Sequence, residues 1–156
     1  MKGNRKVIEA LNDVLAAELI GINQYFLHAK MCSNWGYARL AHAILDESIS
    51  EMKHASELTE RILFLEGVPN LQKLGKVRIG ETVPEQLKLD QAVEVDAIVR
   101  LNETIALCVD EGDNASRHLF EDILKNEEDH LDWIETQLAL IETLGEAQYL
   151  SEQLRD

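Results

Sequence analysis

Two segments, Glu51-Met52-Lys53-His54 and Glu127-Glu128-Asp129-His130, each place a glutamate three residues before a histidine. On an α-helix that spacing sets a carboxylate and an imidazole on one face, about one turn apart, where a single metal ion can reach both. In a chain this rich in glutamate, two such pairs alone are only mildly unusual. Two further acids strengthen the pattern: Glu18 precedes Glu51 by 33 residues, and Glu94 precedes Glu127 by the same 33. A helical hairpin that supplies Glu and then Glu-x-x-His therefore occurs twice, as two similar hairpins facing each other about a pseudo-two-fold axis would require.

Helical register adds a third argument, because these residues interrupt stripes that ought to be buried. The stripes read Leu11, Leu15, Glu18, Ile22, Tyr25 in the first helical block and Leu87, Gln91, Glu94, Ile98, Leu101, Ile105, Cys108 in the third. In the fourth block the stripe reads Phe120, Ile123, Glu127, His130, Ile134. Two carboxylates about 5 Å apart repel by about 3 kcal/mol at an effective dielectric near 20, so four inward acids need a cation. Four glutamates with two neutral imidazoles balance two divalent ions, the ligand rule already established for di-iron and di-manganese carboxylate bundles. Iron suits the set, since hard oxygen donors favour Fe(III) and few protein ligands leave positions open for dioxygen or hydrogen peroxide. Tyr25, seven residues after Glu18, shares its face and is read either as a partner of a ligand carboxylate able to lose an electron or as a core tyrosine with a satisfied hydroxyl.

Four long blocks with alternating steps of three and four must position these side chains. The first runs from about Arg5 to Asn34 and the second from about Tyr37 to Glu66, ending at Gly67. The segment from Gly67 to Val83 carries Gly67, Pro69, Gly75 and Gly80, has no helical period and reads as a long crossover. A third helix starts after Thr82, where Thr82 and Glu85 have capping-box spacing and Pro84 suits a first turn, and it runs to about Glu111. Gly112 breaks it, Asp113 or Asn114 caps a fourth helix running to Leu144, and Glu146 to Arg155 forms a short fifth. Two short hairpins joined by one long crossover define an all-α, ferritin-like antiparallel four-helix bundle spanning residues 1–156 as one domain.

Composition narrows the function classes. At 156 residues with 46% apolar residues, the chain can bury a core without disulfides. A net charge of −14 argues against nucleic acid and towards cations. Cys32 and Cys108 are isolated, so no Cys-x-x-Cys zinc or redox pair is present. No uncharged apolar run is long enough to span a membrane, and acids interrupt the apolar stretch after the basic N-terminus, so a cytoplasmic protein is expected.

The sequence resembles the bacterioferritins over nearly its whole length. The resemblance rests on Met1-Lys2-Gly3, Asn23-Gln24-Tyr25-Phe26-Leu27-His28 and Glu51-Met52-Lys53-His54-Ala55, with Arg61-Ile62-Leu63-Phe64-Leu65-Glu66-Gly67 and Asp129-His130-Leu131-Asp132-Trp133-Ile134-Glu135-Thr136. It implies a hollow homo-oligomeric shell of twenty-four subunits that oxidises Fe(II) and stores a ferric mineral. It also implies that Glu51 and Glu127 bridge two irons, that Glu18 with His54 holds one, and that Glu94 with His130 holds the other. Haem b is implied at a two-fold interface, with Met52 as axial ligand from each subunit, and a 2Fe-2S ferredoxin is implied as the partner for iron release. Spacing alone assigns Met52 to interface packing, in a second stripe with Leu45, Ile49 and Leu63.

Some bacterioferritins carry His and Asp on the inner surface where this chain has Asp46 and Ser50, which puts an auxiliary iron site there in doubt. Exposed or capping roles are expected for His28, His42 and His118. Two other readings compete with iron storage: a di-iron or di-manganese peroxidase or oxygenase that stores nothing, and a metal-free helical protein for haem binding or interaction.

Overall fold

The computed structural model describes residues 1–155. Helices α1 (Arg5–Asn34), α2 (Ala38–Phe64), α3 (Val83–Glu111) and α4 (Asn114–Leu144) form the bundle, and α5 (Glu146–Ser151) follows it. The start signals act as their chemistry requires. Asn4 caps α1 by accepting from the Lys6 and Val7 amides, Thr82 caps α3 by accepting from the Glu85 amide, and Asp113 caps α4 by accepting from the Ser116 amide. The Glu85 carboxylate reaches back to the Glu81 amide at 3.2 Å, one residue earlier than a capping box would have it.

Two ends differ from the sequence expectation. Helix α2 stops at Phe64, and the left-handed residue beyond it is Glu66 (φ 62°) rather than Gly67. Gly67 is needed for space, because a Cβ there would lie 2.7 Å from Ile8 Cγ2. Helix α5 ends at Ser151, short of Arg155.

Helix α1 packs most extensively on α2, and α3 on α4, as the two hairpins predict. The hairpins meet antiparallel: along α1–α3, Asn4 faces Glu111 and Gln24 faces Asp90, while along α2–α4, Arg61 faces Ser116 and His54 faces Asn126. The crossover makes this arrangement possible by returning the chain along the length of the bundle before α3 begins.

The apolar core is split in two. One cluster gathers Leu11, Leu15, Leu58, Ile62, Leu101, Phe120 and Ile123. The other gathers Tyr25, Cys32, Leu40, Ile44, Leu87, Ile134 and Tyr149. Between them on every long helix lies a polar stretch: Glu18 on α1, Glu51 and His54 on α2, Glu94 on α3, and Glu127 and His130 on α4, all buried. Gln91 of the expected α3 stripe is only half-buried, and Asp90 takes the inward position.

The end of the crossover is pinned by close approach. Gly80 is buried, and a Cβ on it would lie 2.5 Å from the Gln86 amide nitrogen and 2.8 Å from its Cα, both backbone atoms that cannot swing away. Gly80→Ala is therefore expected to lower stability by about 1–3 kcal/mol, the usual cost of overpacking. A thermal melt followed by circular dichroism checks this, with a midpoint equal to that of the parent speaking against the tight fit.

Candidate metal centre

Four helices each deliver part of one inward cluster. Ligand atoms of Glu18, Glu51, His54 and Glu127 lie within 4.8 Å of one another, as do those of Glu51, Glu94, Glu127 and His130. Glu51 and Glu127 belong to both groups, so the geometry is that of two adjacent cation positions sharing two carboxylates. His54 Nδ1 stands 3.3 Å from Glu18 Oε2 and 3.1 Å from Glu127 Oε1. His130 Nδ1 stands 2.8 Å from Glu94 Oε1. All six sequence-expected ligands are thus brought together.

Glu94 Oε2 is buried with no hydrogen-bond partner. An unsatisfied buried polar atom costs about 1–3 kcal/mol, more when charged, and a cation beside it would satisfy it. The donor set of four carboxylates and two imidazoles suits divalent ions such as Fe(II) or Mn(II).

Without a cation the charges are unstable in this layer. Burial raises the Glu18 and Glu127 carboxyls above their usual range and, reinforced by Glu127, lifts Glu94 well above it. Burial works against charge on His54, but hydrogen bonds and charges from Glu127 and Glu18 outweigh it and push the imidazole up to about 10. His130 is likewise raised, chiefly by Glu94, against the effect of burial. In the absence of a cation the shifts all run towards the protonated forms.

Tyr25 is fully buried, and its hydroxyl donates a hydrogen bond to Glu94 Oε1. Met52 points away from this layer and is 56% exposed, beside exposed Ile49 on the same helix. Leu63 is also exposed, whereas Leu45 is half-buried and packs against the second core cluster.

Several neighbours escape a reading of the sequence. Glu47 reaches His130 Nδ1 at 3.3 Å, and Trp133 stacks on the His130 ring at a centroid distance of 6.2 Å. Glu47 lies one helical turn before Glu51, a spacing that could have revealed it; Asn126, whose amide lies 3.1 Å from His54 Nε2, carried no such signal. Gly21 makes room for a ligand, since a Cβ there would lie 3.3 Å from Glu51 Cγ. Asp46 is exposed and Ser50 half-buried on the same helix.

The expectation for His28 is overturned. It is fully buried between α1 and α3, with Nδ1 2.8 Å from Asp90 Oδ1 and Nε2 accepting the Gly80 amide at 3.0 Å. Its position follows from the helical face it shares with Gln24 and Cys32, all inward. His42 and His118 are exposed, as expected, and His118 lies 3.6 Å from Asp122.

An antiparallel bundle with one long crossover and a mid-core layer of four glutamates and two histidines has the layout of the ferritin-like class of helical bundles, whose cores offer such side chains to metal ions. Residues 8–144 match the Ferritin-like domain family. The chain is 48% identical over 149 residues to a bacterioferritin of Mycobacterium tuberculosis, covering 96% of this chain and 94% of the relative. It is 50% identical over 151 residues to the bacterioferritin of Streptomyces coelicolor, covering 97% and 90%, and 48% identical over 149 residues to that of Brucella melitensis, covering 96% and 92%. The chain belongs to the bacterioferritin family of ferritin-like proteins. Among the described residues, no helix is long and apolar enough to cross a membrane.

Because the carboxyls and imidazoles of the layer are shifted towards their protonated forms, metal binding is expected to release protons and affinity to rise with pH. Titration of metal-free protein with Co(II), which is not oxidised under these conditions, is expected to show tighter binding at pH 8 than at pH 6, with net proton release detected in buffers of different ionisation enthalpy. Affinity independent of pH would contradict the protonated layer.

Proposed function

We propose that this chain, a member of an iron-storage family, oxidises Fe(II) at the six-residue centre and delivers the Fe(III) to a mineral held inside a homo-oligomeric shell of twenty-four subunits. The observation that carries the reading is the pair of side-chain groups sharing Glu51 and Glu127, buried and including one carboxylate oxygen, Glu94 Oε2, without a partner. In this reading Fe(II) is the substrate. Glu18 with His54 binds one ion, Glu94 with His130 binds the other, and Glu51 and Glu127 lie between them. Two Fe(II) ions give up one electron each, and one hydrogen peroxide with two protons takes them to form two waters; dioxygen with two protons instead yields hydrogen peroxide. The glutamate oxygens stabilise the rising positive charge, and burial between two apolar clusters confines the reaction. Tyr25 holds Glu94 Oε1 by its hydroxyl.

Adding excess Fe(II) aerobically while following ferric absorbance and particle size tests this. Parent protein is expected to oxidise iron rapidly and keep it in solution as a large particle, and Glu94→Ala is expected to lose the rapid phase. A small particle that precipitates iron beyond a few equivalents would remove storage from the reading and favour a non-storing di-iron or di-manganese peroxidase or oxygenase.

A haem b held between two copies is the second part of the proposal. An exposed thioether at Met52 beside exposed Ile49 offers a soft axial donor on an apolar surface, and a two-fold axis would bring a second sulfur. Haem held there would supply a one-electron carrier at the interface between two copies. Met52→Leu is expected to abolish the Soret band while the particle persists; an unchanged band would exclude ligation by Met52. A 2Fe-2S ferredoxin as electron donor for iron release, and a cytoplasmic location, complete the proposal.

A further inference from the structure

The most heavily engaged buried acid outside the proposed ligands is Asp90. It is 2% exposed, and its Oδ1 accepts from Gln24 Nε2 at 2.8 Å and stands 2.8 Å from His28 Nδ1. The other ends of both side chains are also occupied. Gln24 Oε1 accepts the Arg78 amide at 3.1 Å, and His28 Nε2 accepts the Gly80 amide at 3.0 Å. Since a backbone amide can only donate, Nε2 of His28 must be unprotonated, and Nδ1 carries the proton that it donates to Asp90. One carboxylate therefore ties two side chains of α1 to α3 and, through them, two amides of the crossover to both helices. Gln86 closes the far side by donating from Nε2 to the Gly80 carbonyl at 3.0 Å and accepting from Cys32 Sγ at 3.3 Å.

This cluster adjoins the Tyr25–Glu94 contact on both α1 and α3. Tyr25 lies between Gln24 and His28 on α1, and Glu94 lies one helical turn beyond Asp90 on α3. Gln24 and His28 meet Asp90, and Tyr25 meets Glu94, across the same antiparallel pair of helices. Sliding or rotating α1 against α3 by a fraction of a turn would break both sets of bonds together. Apolar contacts alone tolerate such movement, whereas a buried carboxylate with two donors does not, because each donor left unpaired is penalised.

We propose that Asp90, through Gln24 and His28, is a positioning residue that fixes the α1–α3 register and holds the Tyr25 hydroxyl on Glu94. The role rests on the two-iron reading only for its consequence in catalysis; the positioning itself is a property of the metal-free protein. The chain has three tyrosines, so the Tyr25 signal can be isolated by subtracting the spectrum of Tyr25→Phe.

Ultraviolet resonance Raman of the tyrosine ring doublet, recorded on the metal-free assembled protein, reports whether the Tyr25 hydroxyl is a strong donor. The parent is expected to show a strong donor at Tyr25. Asp90→Asn keeps an acceptor oxygen for Gln24 and His28 and is expected to retain that signature, whereas Asp90→Leu is expected to lose it with helicity and particle size unchanged. An Asp90→Leu protein with full helicity and an unchanged Tyr25 signature overturns the proposal. If Asp90→Leu does not assemble, Gln24→Leu and His28→Phe each remove one tie, and a shifted Tyr25 signature is expected in at least one; an unchanged signature in both overturns it. Loss of iron oxidation in Glu94→Ala speaks to the centre and leaves this reading untouched, so the two proposals fail separately.

Discussion

Burying four carboxylates in one layer of a helical bundle is the constraint around which this structure is arranged. Glu18, Glu51, Glu94 and Glu127 all lie in the interior, and no arrangement of leucines can compensate their charge. Two imidazoles share the layer; burial pushes the Glu18, Glu94 and Glu127 carboxyls towards their protonated forms, and the neighbouring glutamates push the imidazoles the same way against burial. The result is a layer that is neutral enough to fold and ready to exchange protons for cations. Its stability is supplied from either side, by apolar clusters that hold the four helices together and keep water from the carboxylates.

The helices do more than carry ligands. Each hairpin supplies one Glu and one Glu-x-x-His, so the pseudo-two-fold pairing of hairpins generates the two cation positions as a pair. The carboxylates common to both positions, Glu51 and Glu127, come from the second helix of each hairpin, as that symmetry demands. Room is made by absence as well as by presence: Gly21 leaves Glu51 its space on the facing helix. The outward face of α2 has a separate chemistry, since Met52 is adjacent to Glu51 yet turned by about 100° and lies on the surface.

Polar groups also set the register of the bundle away from the centre. Arg61 on α2 donates to Ser116 at 2.9 Å and to Asp113 at 3.0 Å, fixing the end of one hairpin against the turn of the other. Asp90, Gln24 and His28 do the same at the opposite end and fasten the crossover as well. Such bonds demand one geometry where apolar side chains would accept several.

The sequence by itself determined the helices, the caps of α3 and α4, the crossover and the six inward Glu and His residues, because these depend on local spacing and on charge. Glu-x-x-His shares a face in any α-helix, and an acid in an apolar stripe is inward wherever that stripe is buried. Thr82, Asp113 and Gly112 act on residues within one turn of themselves, which is why those boundaries were legible. Only the tertiary structure decided that His28 is buried on Asp90, that Glu47 reaches His130, and that Asp90 rather than Gln91 points inward on α3. Those contacts join residues far apart in the chain, and they depend on how far each helix is rotated and slid against its neighbour. That relative placement is fixed by the packing of all four helices at once, and no local pattern encodes it.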